Sequence, residues 1–252
     1  MTRNLDGRRL LVTGGAGGIG LATTRRLLAD GATVAVLDRN ALDHRTFGER
    51  PPFSAECDVA APDSVAAAVS DLASRLGGID GVVTCAGVTH GSTVEETSPA
   101  AWQRMIDVNL TGTFLCVQQA LPYLLENPAS ALVTIGSVGA LVAAGRSAAY
   151  DATKGGVLAL TRSIAVEYAD RGLRANCVCP GLVATDLAAN SAADTAGLRP
   201  DLRPTVAGRV RPPAARAADP AEIAAVIAFA LSADASFVTG ACLPADGGYT
   251  AV

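Results

Sequence analysis

The sequence predicts an α/β domain, a doubly wound and mostly parallel sheet of about seven strands, formed by residues 1–252 as one unit. Three observations predict it. Short apolar runs alternate with stretches of helical spacing from end to end, and no linker interrupts them. The chain opens on a strand, a glycine-rich turn and a helix. Apolar residues make up 50% of the chain and charged residues 17%, which is material for one large core rather than for disorder.

The opening unit is Arg9-Leu-Leu-Val-Thr13, then Gly14-Gly-Ala-Gly-Gly18-Ile19-Gly20, then a helix over 21–29. Glycines after a strand let the backbone approach a pyrophosphate, which the following helix N-terminus favours electrostatically. The turn lacks the Gly-Lys-Ser/Thr ending of a nucleotide-hydrolysing loop, which argues against a kinase or ATPase. The next strand, 33–37, is closed by Asp38. An acid there can bond both ribose hydroxyls and repels a 2′-phosphate, so NAD is favoured over NADP; Arg39 partly offsets that repulsion and leaves NADP possible.

A third strand ends over 54–59, and Pro62 starts a helix to about residue 76. The fourth strand, 81–85, ends in Ala86-Gly87, small residues against which a ligand could lie. Ser98 reads as an N-cap with Pro99 in the first helical position, and the long helix that follows carries Asn109 among apolar turns. A buried mid-helix asparagine is unfavourable unless its amide is satisfied. Beyond the fifth strand, 131–135, come Ser137 and a helix over 148–168. A sixth strand, 175–179, is closed by Pro180-Gly181. Residues 186–218 show no clear period and read as a substrate lid. Asp219, Pro220 and Glu222 form a capping signature for a helix to about residue 231, and a short strand over 241–244 ends the sheet.

The chemistry centres on Ser137, Tyr150 and Lys154. Tyr150 and Lys154, at i and i+4, share a helix face. A phenol beside a fixed ammonium has a lowered pKa, which makes Tyr150 a general acid/base with Ser137 as a substrate-orienting donor. Lys154 is the only lysine; the other basic residues are all arginine. A compact ammonium is kept at the one place where a guanidinium would not serve.

The net charge of −4 and the lack of a basic stripe argue against nucleic-acid or membrane-surface partners. The polar first residues show no secretory signal, so a soluble cytoplasmic protein acting on a small molecule is expected. The six cysteines read as buried free thiols, and Cys177 and Cys179 are expected on opposite faces of their strand, unable to chelate. His44 and His90 are expected in polar loops; two histidines are too few for a zinc site or a Ser-His-Asp triad, and no metal is expected.

Taken together, Thr13-Gly14-x-x-x-Gly18-x-Gly20, Asp58, Ala86-Gly87, Asn109, Ser137, Tyr150-x-x-x-Lys154 and Pro180-Gly181 with Thr185 resemble the short-chain dehydrogenase/reductase family over nearly the whole chain. The resemblance implies a seven-stranded Rossmann sheet, hydride transfer between a nicotinamide and a secondary alcohol or ketone, and a catalytic set of Asn109, Ser137, Tyr150 and Lys154. In that scheme Tyr150 exchanges the proton and Ser137 holds the substrate oxygen. Lys154 tunes the tyrosine and binds the nicotinamide ribose, while Asn109 helps hold a relay water. The resemblance further implies cofactor contacts at Gly14, Gly18, Ile19, Gly20, Asp38, Arg39, Asp58, Val59, Ala86, Gly87, Tyr150, Lys154, Pro180, Gly181, Val183 and Thr185, and a homotetramer. Cys85 stands where the family usually has asparagine.

The alternative within the same chemistry is an NADPH-dependent 3-oxoacyl-thioester (acyl-carrier-protein) reductase, for which Arg199, Arg203, Arg209 and Arg211 would supply a basic surface. A non-catalytic sensor of cofactor redox state would show a broken catalytic set, and this one is intact. The lid segment from about 187 to 210, with Val138, Ala140 and Val142, is expected to line a modestly hydrophobic pocket.

Overall fold

A computed structural model describes residues 5–143, 145–191 and 212–251. Seven parallel strands form one sheet in the order β3-β2-β1-β4-β5-β6-β7: β1 Arg9–Thr13, β2 Thr33–Asp38, β3 Phe53–Glu56, β4 Gly81–Thr84, β5 Ala131–Ile135, β6 Arg174–Pro180 and β7 Cys242–Ala245. The helices are α1 Gly18–Ala29, α2 Pro62–Leu76, α3 Pro99–Met105, α4 Gly112–Leu124, α5 Ala148–Tyr168, α6 Leu187–Ser191 and α7 Pro220–Leu231. Strands covered on both faces must be apolar throughout, and β4 and β5 are buried at every position.

The period-two alternation of the strands divides the core. Leu11, Leu37, Val82 and Leu132 point to the face covered by α2, α4 and α5. Leu10, Val12, Val34, Val36, Val83 and Val133 point to the other, covered by α1 and α7. Strand order reverses at β1, whose neighbours are β2 on one side and β4 on the other. The crevice beyond the carboxyl ends of β1 and β4 is where such sheets take ligands.

Local signals in the sequence reappear as geometry. The Ser98 hydroxyl accepts from Ala101 N at 3.1 Å, with Pro99 opening α3. Asp219 and Glu222 form a capping box on α7, whose other end is closed by Arg174: its guanidinium donates to Ala230 O at 2.9 Å and Ser232 O at 3.0 Å. The long helix expected around Asn109 is interrupted. A π-helical turn, Ile106–Thr111, lies between α3 and α4, and Asn109 sits in it. The third strand is also shorter than expected, because the chain leaves the sheet after Glu56.

The cysteine expectation needs correction. Residues i and i+2 of a strand share a face. Cys177 and Cys179 accordingly point the same way, with sulfurs 3.8 Å apart, and Cys242 Sγ on β7 is 3.3 Å from Cys179 Sγ. All six cysteines are free thiols. His90 is corrected as well: it is buried, at 2% exposure.

Candidate active site

The glycine turn is built to touch β4. Gly14 has φ of 68°, and a side-chain carbon there would lie 2.7 Å from the Ala86 backbone. Thr13 Oγ1 accepts from Ala86 N at 3.1 Å, so the ends of β1 and β4 are stitched together at the switch point. Helix α1 starts from Gly17, whose lack of a side chain leaves the first-turn N–H groups without a side-chain cap. Those donors suit an anion. Gly20 meets the Gly14 carbonyl so closely that no side chain fits. Ile19 packs, half-buried, on the α1/α7 side of the core.

Asp38 ends β2 with its carboxylate already oriented: Oδ2 accepts from Ala16 N at 2.9 Å and Oδ1 from Asn40 N at 2.9 Å. Both oxygens keep lone pairs toward a cleft of about 410 Å³ lined by Asp38, Asn40, Leu42, His44, Ser54 and Glu56 among others. Arg39 is exposed beside it. Asp58 accepts from Ala60 N at 3.0 Å, and Val59 is buried against Gly112. The lining from Asn40 to Ser54 was not legible as a site in the sequence; its only signal is position, just past the ends of β2 and at the start of β3.

Asn109 acts as a clamp. Its Oδ1 accepts from Val88 N at 2.8 Å, and its Nδ2 donates to Val88 O at 2.9 Å and Thr153 Oγ1 at 3.1 Å. This ties the loop after β4 to α5 and satisfies a fully buried amide. A π-turn displaces the local hydrogen-bond ladder, which is how one mid-helix residue reaches both neighbours.

Ser137, Tyr150 and Lys154 converge at the end of β5. Ser137 caps the short turn that follows, its Oγ accepting from Gly139 N at 3.1 Å. Lys154, 5% exposed, donates to Ile135 O at 2.8 Å and lies 5.5 Å from the Tyr150 ring centroid. A side-chain carbon on Gly87 would lie 3.2 Å from Asn109 Oδ1 and 3.7 Å from Lys154 Nζ, so Gly87 sits between the two. The catalytic and switch-point residues expected from sequence are therefore brought together.

The electrostatics differ from the expectation of a depressed tyrosine pKa. Burial of the hydroxyl end pushes Tyr150 up to about 12, with the Ser137 hydroxyl pulling back and Asp151 and Cys179 adding to the rise. Burial likewise lowers Lys154, opposed by the nearby thiols of Cys177, Cys85 and Cys179. In the protein's own field desolvation outweighs the Ser137 hydrogen bond, and Tyr150 is held as the neutral phenol. Cys85 is pushed up to about 12 by burial. The Cys177 thiol is lowered by the Cys179 hydrogen bond, while Cys179 is raised. Gly136, between β5 and Ser137, has no side chain because one would lie 2.7 Å from both of those sulfurs.

The remaining predicted residues lie beyond β6. Pro180 ends the strand, and Gly181 N donates to Ala245 O at 3.1 Å. Val183 pairs with Ala218, and Thr185 Cγ2 would be 3.3 Å from a side chain on Gly18. Of the expected lid, 192–211 lie outside the described residues, including Arg199, Arg203, Arg209 and Arg211. Within it, α6 is described, and Leu182–Ala184 are hydrogen-bonded to Ala218, so both ends of the segment meet at one point.

The donor set suits a nicotinamide dinucleotide: a glycine-rich turn, an uncapped helix start and an oriented acid one strand over. No group of His, Cys, Asp and Glu among the described residues is arranged to hold a metal ion. No described helix is long and apolar enough to cross a membrane.

Comparison with known proteins agrees. A family model described as enoyl-(acyl carrier protein) reductase matches residues 14–250. The chain is 41% identical to cis-4-hydroxycyclohexanecarboxylate dehydrogenase of Sinomonas cyclohexanicum, over 97% of each chain. It is 36% identical to 3-oxoacyl-[acyl-carrier-protein] reductase MabA of Mycobacterium bovis, over 96% of this chain and 92% of that one. Among solved structures, 3-ketoacyl-(acyl-carrier-protein) reductase from Brucella melitensis complexed with NADH superposes with a TM-score of 0.86 at 28% identity, covering 98% of this chain and 99% of that one. A seven-stranded parallel sheet, a glycine turn on β4 and a Ser-Tyr-Lys cluster at β5, matched by relatives over almost all of their length, place this chain in the short-chain dehydrogenase/reductase family, as a nicotinamide-dependent oxidoreductase acting on CH–OH groups.

Proposed function

We propose that the protein is an NAD(H)-dependent dehydrogenase that interconverts a secondary alcohol and its ketone. The observation that carries this reading is the meeting of Ser137, Tyr150 and Lys154 at the carboxyl end of β5, with Gly87 against Lys154 and the glycine turn of β1 on the other side of β4. Bound there, the nicotinamide supplies the hydride or accepts it. The chain's part is to hold the reacting oxygen and move its proton. The Tyr150 phenol gives its proton to a ketone oxygen, or takes one from an alcohol as phenolate, while Ser137 donates a hydrogen bond to the same oxygen. Lys154, whose ammonium has donors left after bonding Ile135 O, binds ribose hydroxyls and refills the proton. Asn109 is a positioning residue through its grip on Val88 and Thr153.

The preference for NAD rests on Asp38. Its two oriented oxygens suit ribose hydroxyls, and its charge would face a 2′-phosphate. The 3-oxoacyl-thioester reductase reading is supported by the MabA relative and opposed by Asp38. Because the 41% relative is named for a hydroxylated cyclohexanecarboxylate, cyclohexanols with and without a second oxygen function are the substrates to test first.

The test is reduced-nicotinamide absorbance with NAD or NADP and these alcohols, and with NADH or NADPH and the matching ketones and a 3-oxoacyl thioester. Turnover of the alcohols with NAD is expected. Turnover confined to NADPH and the thioester would replace this reading by its rival. A homotetramer completes the proposal. Trp102, Phe114 and Val166 on α3, α4 and α5, with Phe229 and Phe237 around the end of α7, are large apolar side chains left exposed by the single chain.

A further inference from the structure

Between β4 and α3 the chain runs beside the first turns of α5. At one end is Gly87, next to Lys154. At the other, Ser92 makes a parallel bridge with Ser147, three residues ahead of Tyr150. The stretch between them is pinned along its length. Val88 is bonded through both its N–H and its carbonyl to Asn109, and Thr89 N donates to Ser191 Oγ of α6 at 2.9 Å. Ser92 Oγ and Thr97 Oγ1 are 2.5 Å apart. The loop thus starts beside Lys154 and ends on Ser147, residues on either side of Tyr150 in the chain, and His90 lies within it.

His90 is 2% exposed, and among the described residues neither Nδ1 nor Nε2 has a hydrogen-bond partner. A neutral imidazole carries one donor and one acceptor, and burying both unmet is rare in folded proteins. Burial lowers its pKa against the opposing pull of the Glu96 carboxylate, so the ring is neutral at pH 7. An apolar side chain would fill the same space without stranding two polar atoms. A polar group with no partner among the described residues, in a loop that adjoins Lys154 at one end, bridges Ser147 at the other and is bonded to α6 through Thr89, is suited to a partner that arrives with the substrate.

We propose that His90 is the substrate-anchoring residue, bonding a second oxygen function, a hydroxyl or a carboxylate, on a substrate whose reacting oxygen faces Ser137 and Tyr150. This rests on the dehydrogenase reading and adds to it the substrate class: diols or hydroxy acids rather than simple alcohols. A site whose buried polar group loses its partner discriminates against the analogue lacking that partner.

The experiment compares kcat/KM with NAD for cyclohexanol, 1,4-cyclohexanediol and 4-hydroxycyclohexanecarboxylate in wild type, His90→Leu and His90→Gln. Wild type is expected to favour the diol or the acid over cyclohexanol by at least about tenfold, and which of the two is favoured identifies the oxygen function. His90→Leu is expected to bring that ratio to about one, and His90→Gln, which keeps a donor and an acceptor, to recover part of it. An unchanged ratio in His90→Leu, or an equal loss on all three substrates, would overturn the proposal. A second readout does not need turnover. The chain has two histidines, so the spectrum of His44→Gln assigns the imidazole resonances of His90 by NMR. In the NADH-bound protein these should move on adding the diol or the acid and stay put with cyclohexanol. Failure of turnover with a moving resonance counts against the dehydrogenase reading alone; a resonance that ignores both compounds counts against the anchor.

Discussion

At Tyr150 two fields compete, and the outcome sets the direction in which the site is ready to work. The lysine one turn away was legible in the sequence; the depth of the hydroxyl was not, because desolvation depends on what the fold packs around it. With the phenol pushed up to about 12, it is a proton donor over the whole neutral range. Ketone reduction should therefore run level through neutral pH and fall only as the phenol ionises. Alcohol oxidation needs the phenolate, so its kcat should keep climbing with pH beyond 9, by up to about tenfold per unit while the phenol remains mostly protonated. Rates in both directions from pH 6 to 10 check this; an oxidation rate already flat at pH 7 would show that the bound complex overrides burial. Tyr150→Phe should lower kcat about 10²- to 10⁴-fold while the protein still binds NADH, read by fluorescence titration. Asp38→Ala removes charge-assisted bonds of about 1.5–3 kcal/mol and the repulsion facing a 2′-phosphate, so the ratio of kcat/KM for NAD over NADP should drop at least about tenfold. Asp38 was legible because a strand-closing acid has one obvious geometry. His90 was not: a polar-looking loop in the sequence folds inward, and the residues that pin that loop, Asn109, Ser147 and Ser191, are distant in the chain.

Among the elements, α7 shows what the sequence carries and what it cannot. Its N-terminal box is local, three residues reading each other, and was visible before any fold was known. Its C-terminus is held from across the sheet by Arg174, whose partners are more than fifty residues away. Several bonds from one cation to the last carbonyls of a helix satisfy groups that would otherwise be orphaned. Arg174→Ala should cost about 2 kcal/mol, seen as a fall of about 4–8 °C in Tm by calorimetry. A shift under one degree would mean the carbonyls find other donors. The π-turn at Asn109 escaped the periodicity argument for a similar reason. One extra residue in a helical turn barely alters apolar spacing, while the amide's partners, Val88 and Thr153, come from other elements. The Cys177–Cys179 pair turns on period alone. In a strand, two steps return to the same face.

For the whole molecule, the amino edge of the sheet holds an acid-sensitive lock. Asp80 accepts from Arg9 N at 2.8 Å, Arg9 Nε at 3.0 Å and Asn127 Nδ2 at 2.8 Å, joining β1, β4 and the turn before β5. Its burial works toward a higher pKa, but the Arg9 and Asn127 bonds together win and bring it down to about 2. A folded pKa below the unfolded one means the stabilisation is complete above about pH 4 and is lost as pH falls toward 2. Discounted for screening on the exposed Arg9 side, it is on the order of 1–2 kcal/mol. Asp80→Asn should therefore melt lower than wild type at pH 7, and the gap should narrow below pH 4; a gap independent of pH would assign the loss to packing. In solution, light scattering should give a mass near four times 25.3 kDa. Lys154 has a consequence at this scale too. The chain's single side-chain amine is buried in the proposed catalytic cleft, so acylating reagents that decorate the surface of most proteins find no lysine to react with while this one is folded. Side-chain acylation, read by mass, then becomes a count of opened molecules, and any reagent that does gain entry to the native fold marks Lys154 and nothing else among its side-chain amines.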